Sequence, residues 1–254
     1  MDVLVCKNGF KLCEIFRTIV SNPFFMSTSK EIRNQVVDLI QGKLTIKRQV
    51  YEQTKEVFLL LKEVLEEVKI ALQDATVSDR PIMIETHEIG EYEVRIRVGG
   101  DTLVFLMHSN VFDFERSHYI HKNGYAKSEA YNSMCGQIYM YNFLTDSFKY
   151  SRTNDYGYLI ARLFVNKDLH YFVEGKQKLS FTFNNFNGAV LDQTALTRVV
   201  EAVLLECLQF DLFSPPYKQV EVVTVEEINQ VSNDLRLRTG KRLGFRFSSD
   251  DPPK

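Results

Sequence analysis

No proline interrupts the chain between Thr28 and about Asp74, and residues of good helix propensity dominate that stretch, with Gly42 as its one marked weak point. Its start is marked by a capping box. Thr28 is followed three residues later by Glu31, so that each side chain can satisfy the other's free backbone N–H. Unbroken, such a helix would run roughly 70 Å at 1.5 Å per residue, against the ~40–45 Å width of a compact domain of this length. The chain must therefore either bend near Gly42 or project a helical arm. A shorter helix is expected ahead of it, from about Phe10 to Val20, with Leu12, Ile15, Phe16 and Ile19 on one stripe and Pro23 beyond its end.

The second half of the long helix carries apolar or small residues at Val50, Thr54, Val57, Leu61, Val64, Val68 and Ala71, alternating steps of four and three. Phe58, Leu65 and Leu72 widen the stripe on one side. Two uses stay open. A broad stripe suits an amphipathic helix lying on the chain's own sheet, whereas the heptad spacing suits a coiled-coil seam, Val50, Thr54, Val57, Leu61, Val64 and Val68, between two copies.

From Pro81 the period changes to two. In Glu91–Val98 the charged residues take one face and the apolar residues the other, which describes a strand with one wet side. Leu103–Met107 is apolar on both faces and calls for cover on both. Residues 113–133 lack periodicity and read as a long loop with a turn of helix. Further strands are expected at about Gly136–Phe143, Ser147–Ser151, Tyr156–Val165, Leu169–Glu174 and Leu179–Phe183, on their aromatic and β-branched content. A helix over about Asp192–Phe210 follows, with Leu196, Val199, Val203 and Cys207 as its inward stripe. A strand around Lys218–Val223 and a last helix, opened by Thr224 with Glu227 and closed near Gly240, complete the pattern.

These elements predict an α+β fold, a mainly antiparallel sheet covered by the long helix and the 192–210 helix, with a long N-terminal helical arm. The expected division is an arm over 1–78, an α+β domain over 79–247 and a disordered tail over 248–254. With 254 residues, 44% hydrophobic and 25% charged, the chain can supply one sizeable core.

Composition narrows the function classes. A formal charge of -2 supplies no chain-wide field for nucleic acid or anionic lipid. No apolar run is long enough for a bilayer span, and the start has no signal-peptide layout, so a cytoplasmic protein without a membrane partner is expected. Cys6, Cys13, Cys135 and Cys207 are too scattered for a disulfide framework or a zinc knuckle and read as reduced thiols. Walker, dinucleotide-binding and nucleophile-elbow motifs are missing from the sequence.

One triplet carries a chemical lead. Glu174-Gly175-Lys176 ends an apolar strand in which alternation sets His170, Phe172, Glu174 and Lys176 opposite Leu169, Tyr171 and Val173. An acidic residue and a lysine two apart at a strand end resemble the pair found in metal-dependent nucleases of the PD-(D/E)xK type. The resemblance covers this strand alone. It implies a neighbouring carboxylate, for which Asp168 and Asp155 are available, and a Mg²⁺ or Mn²⁺ ion that stabilises the scissile phosphate. Arg116 and His121 are spaced as in the R-x4-H signature of helical ribonucleases, but here the spacing falls in a loop. His118 and His121 are too sparse a set for a metal site.

Arg236, Arg238, Lys241, Arg242 and Arg246 gather at the end of the last helix, with Phe245 and Phe247 among them, and offer a foot for phosphate backbone or an acidic partner. The expectation drawn from all of this is a binding, regulatory or assembly protein, without a cofactor, that forms a homodimer through its long helix and engages a protein partner. The metal-dependent nuclease is the alternative.

Overall fold

The computed structural model describes residues 29–211, 214, 216–226 and 228. It divides into two compact units, Met1–Ile46 and Lys47–Lys254. Within the first, helix α1 (Ser29–Leu39) leads into a π-helical turn over Ile40–Leu44. Gly42 sits in that turn, where the i→i+5 pattern inserts an extra residue and Thr45 Oγ1 donates to the Ile40 carbonyl at 3.1 Å. No residue of α1 is buried. The expected helix at Phe10–Val20 and the Thr28 half of the capping box lie outside the described residues.

Helix α2 (Thr45–Ala75), from Lys47 onward, and six strands, β1 (Ile84–Glu88), β2 (Glu93–Val98), β3 (Asp101–Met107), β4 (Gly136–Leu144), β5 (Tyr158–Val165) and β6 (Tyr171–Gly175), form the body of the second unit. The sheet order follows the chain, β1-β2-β3-β4-β5-β6, and every pairing is antiparallel. The register shifts between Met140 and Tyr141, opposite Ile160, as a β-bulge. Short helices α3 (Gly124–Ser128) and α4 (Thr145–Lys149) lie between strands, and α5 (Gln177–Thr182) and α6 (Gln193–Leu208) follow β6. Asp192 caps α6, accepting from Ala195 N at 2.7 Å. After α6 come a single-turn helix α7 (Tyr217–Val220) and the first turn of the last expected helix, where Ile228 N donates to the Thr224 carbonyl at 3.0 Å.

One alternating set of sheet residues, including Val94, Ile96, Leu103, Phe105, Met107, Ile138, Met140, Leu163 and Val173, joins α2 and α6 in a single core. Cover therefore arrives differently from the sequence expectation. Both long helices share one face of the sheet. On the opposite face, Ile120, Cys135, Phe164, Phe172 and Phe186 form a second, smaller core with Phe114 and Tyr125, built from the 112–135 segment and the chain after β6. Leu106 and Leu159 stay exposed on that face, next to the stacked rings of Tyr139 and Tyr141.

Three expected strands are helices instead: 147–151 is largely in α4, 179–183 in α5, and 218–223 begins in α7. The reason is plain at α5. Leu179 and Phe183 are buried while Phe181 is 90% exposed, a division that an i, i+4 helical face makes and that a strand, which would align all three, cannot.

Both sheet edges are managed. At β6, Val173 N donates to Phe183 O at 3.0 Å and Leu191 N to Leu169 O at 2.9 Å, so the returning chain covers the edge. At β1, Gln73 of α2 donates its Nε2 to the Ile84 carbonyl at 2.9 Å.

Candidate functional site

Glu174 stands near the end of β6 on the face away from α2 and α6, as alternation requires, since its neighbour Phe172 is in the second core. Register sets Arg162 of β5 directly opposite, and the guanidinium donates to Glu174 Oε2. The other carboxylate oxygen lies 3.3 Å from His118 Nε2. His118 caps the short 3₁₀ turn Tyr119–Lys122 by accepting from Ile120 N with Nδ1, which leaves the ring proton on Nε2 to donate to Glu174. The His118 ring stacks on Phe114 at 4.5 Å and 20°. Glu174 thus bridges a guanidinium and an imidazole, and burial beside them pushes the Tyr119 hydroxyl well above its ordinary pKa.

Lys176 does not join this group. The strand ends at Gly175, α5 begins at Gln177, and Lys176 directs its ammonium over the ring of Phe210 at 5.1 Å. Alternation stops with the strand, so the face expected for Lys176 is not the one it takes.

The two aspartates offered as a second carboxylate lie at opposite ends of β5. Asp155 precedes it and accepts from Ser147 Oγ at 2.7 Å. Asp168 is in the β5–β6 turn, where it accepts from the Tyr125 hydroxyl and from Lys167 at 2.9 Å. Burial raises the Asp168 pKa, but those hydrogen bonds outweigh it and hold the carboxyl below its ordinary range. His170 stacks on Tyr125 at 3.9 Å and 10°, and its Nδ1 donates to the Phe186 carbonyl at 2.8 Å. Asn166 orders the turn by accepting from Asp168 N and His170 N at 3.0 and 2.8 Å. Among the described residues no group of three or more His, Cys, Asp or Glu is placed to hold a metal ion. His121 Nε2 donates to the Phe114 carbonyl at 3.0 Å, so it too is used within its own loop.

The heptad residues Val50, Thr54, Val57, Leu61, Val64 and Val68 are buried against the chain's own sheet. That is the first of the two uses the stripe left open, an amphipathic helix lying on its own sheet. Arg236, Arg238, Lys241, Arg242 and Arg246 lie outside the described residues.

Besides the Leu106 and Leu159 patch, two further apolar surfaces stand out among the described residues. In the first unit, Ile32, Val36, Leu39, Ile40 and Leu44 are each between 49% and 52% exposed. Ile32, Val36 and Leu39 recur at steps of four and three on one face of α1, and the π turn carries Leu44 back toward the same line. In the second unit, the C-terminal half of α2 and the length of α6 enclose an open groove of about 470 Å³. Its floor and walls are Val68, Ala71, Leu72, Leu204, Leu205 and Leu208, and Glu67 and Glu201 stand among them. A sequence signal exists for each: Ile32, Val36 and Leu39 recur at helical spacing, and Leu205 and Leu208 lie beside the inward stripe of α6.

Compared with known proteins, the chain matches no protein-family model, no curated protein and no solved structure. Among the described residues no helix is long and apolar enough to cross a membrane.

Proposed function

We propose that the chain acts by binding, as an assembly module whose copies associate through the N-terminal helical segment. The observation that supports this reading is the half-exposed apolar stripe of Ile32, Val36, Leu39 and Leu44. Single exposed apolar residues need no explanation, but a contiguous stripe along a helix is an interaction surface by default. The buried heptad residues of α2 supply the core, so the burden of association moves to α1.

The reading is tested by sedimentation equilibrium at micromolar concentration. The wild-type chain is expected to associate, and Val36→Glu, a substitution at an exposed position, is expected to sediment as a monomer with an unchanged circular dichroism spectrum. A strictly monomeric wild type would sink the reading.

A further inference from the structure

The groove between α2 and α6 and the stripe on α1 are complementary in shape, length and charge. We infer that the α1 stripe of one copy seats in the α2–α6 groove of a second copy. The inference rests on the self-association proposed above and names the surface that receives the stripe.

Shape comes first. A groove between two packed helices is the receptor that an amphipathic helix fits, with residues at i, i+4 and i+7 as anchors, and Ile32, Val36 and Leu39 have that spacing. Lengths agree as well. The groove runs along α6 from Thr197 to Leu208, about 16 Å at 1.5 Å per residue, and the stripe from Ile32 to Leu44 covers about 18 Å. Leu205 and Leu208 are 57% and 48% exposed, so the groove wall presents apolar surface to any occupant.

Charge selects among occupants. Glu67 and Glu201 border the groove, and Glu67 is held in place by Gln193, whose Nε2 lies 2.8 and 3.0 Å from its two carboxylate oxygens. Glu63 precedes it on α2 and Glu206 stands on α6, whereas Glu66 is taken up by Lys69 and by Thr86 of β1. An acidic border repels phosphate backbone, fatty-acid headgroups and acidic peptides alike, and attracts a basic helix. The segment that carries the stripe has a small excess of cations, Lys30, Arg33 and Lys43 against Glu31 and Asp38. A helix of this chain therefore supplies what the groove asks for, an apolar ridge with cations beside it.

The stripe and the groove are different surfaces, so the contact is heterologous, and each copy offers one of each. That gives the test its form. Leu205→Glu spoils the groove at an exposed position, and Val36→Glu spoils the stripe. Each variant alone is expected to raise the dissociation constant about 100-fold or more, since a charge must be buried in an apolar contact. Mixed together they are expected to associate again, because one intact stripe then meets one intact groove. Circular dichroism and thermal melting on each variant verify that the fold is retained.

If Leu205→Glu associates as tightly as wild type while Val36→Glu is monomeric, the stripes meet each other and the groove inference is overturned, with self-association intact. A mixture that stays monomeric overturns it too. If the wild type itself is monomeric at all concentrations, the proposed assembly function fails together with the groove.

Discussion

Thr54 of α2 stands over Gly136, the first residue of β4, so closely that a Cβ on Gly136 would lie 2.7 Å from both the Cβ and Cγ2 of Thr54 and nearer still to its hydroxyl oxygen. The hydroxyl itself donates to the Val50 carbonyl at 2.6 Å, which removes the need for a partner on the sheet side. A small residue on the helix and the smallest on the strand let α2 approach the sheet at this point.

Gly136→Ala is therefore expected to destabilise the protein by about 3 kcal/mol, as an overpacked core contact does. Adding Thr54→Ala should recover part of the loss, because it removes two of the three clashing atoms and leaves Cβ. Urea unfolding of the two single variants and the double measures the coupling. Additive losses would mean that the two residues do not meet.

Leu61 is 0% exposed and Leu59, two positions away on the same helix, is 48% exposed. Leu61→Ala is expected to cost about 2–5 kcal/mol through lost burial and the cavity left behind, and Leu59→Ala within about 0.5 kcal/mol of zero. Leu61→Glu is expected to unfold the chain instead of dissociating it. A folded, monomeric Leu61→Glu would return the heptad residues to a seam between copies.

The β5–β6 turn should be sensitive to acid. Asp168 has a lowered pKa in the folded chain, so its contribution is fully present above the unfolded value of about 4 and is lost as pH falls through the folded value. Its side chain is 45% exposed, and solvent screening keeps the contribution to about 0.5–1 kcal/mol. Asp168→Asn should therefore be less stable than wild type at pH 7 and nearly equal to it at pH 3. Denaturant titrations at the two values check this, and a difference that grows on acidification would contradict the assignment.

How far the sequence carries depends on how local the information is. Strand β2 and helix α6 follow from alternation and from a 3.6-residue stripe, and Leu196, Val199, Val203 and Cys207 are all buried as that stripe demands. Gly42 marks the π turn because a weak helix former is where the ladder most easily admits an extra residue. Segments of four to six residues are another matter. Leu179-Ser180-Phe181-Thr182-Phe183 alternates as a strand would, and only the packing of Leu179 and Phe183 against the core decides for a helix.

The site residues show the same limit. Glu174 could be assigned to a face, but its partners Arg162 and His118 come from register and from a 56-residue gap in sequence, which periodicity does not encode. The identity of the face that α2 covers was equally hidden. The breadth of its stripe suits the chain's own sheet and its heptad spacing suits a second copy, and periodicity does not decide between the two.

The sheet order has a consequence for how the molecule reaches this structure. Each strand pairs with the one just made, so every addition closes a modest loop, and the entropy lost at each closure rises only logarithmically with its length. Sheet growth by successive hairpins is then the kinetically easy part. The demanding encounter is that of α2 with α6, which share one core cluster although the entire sheet separates them along the chain. Until α6 has been made, the apolar face of the sheet lacks the cover that this helix supplies. A chain emerging from a ribosome meets that interval on every synthesis, and it is there that assistance from a chaperone would matter most.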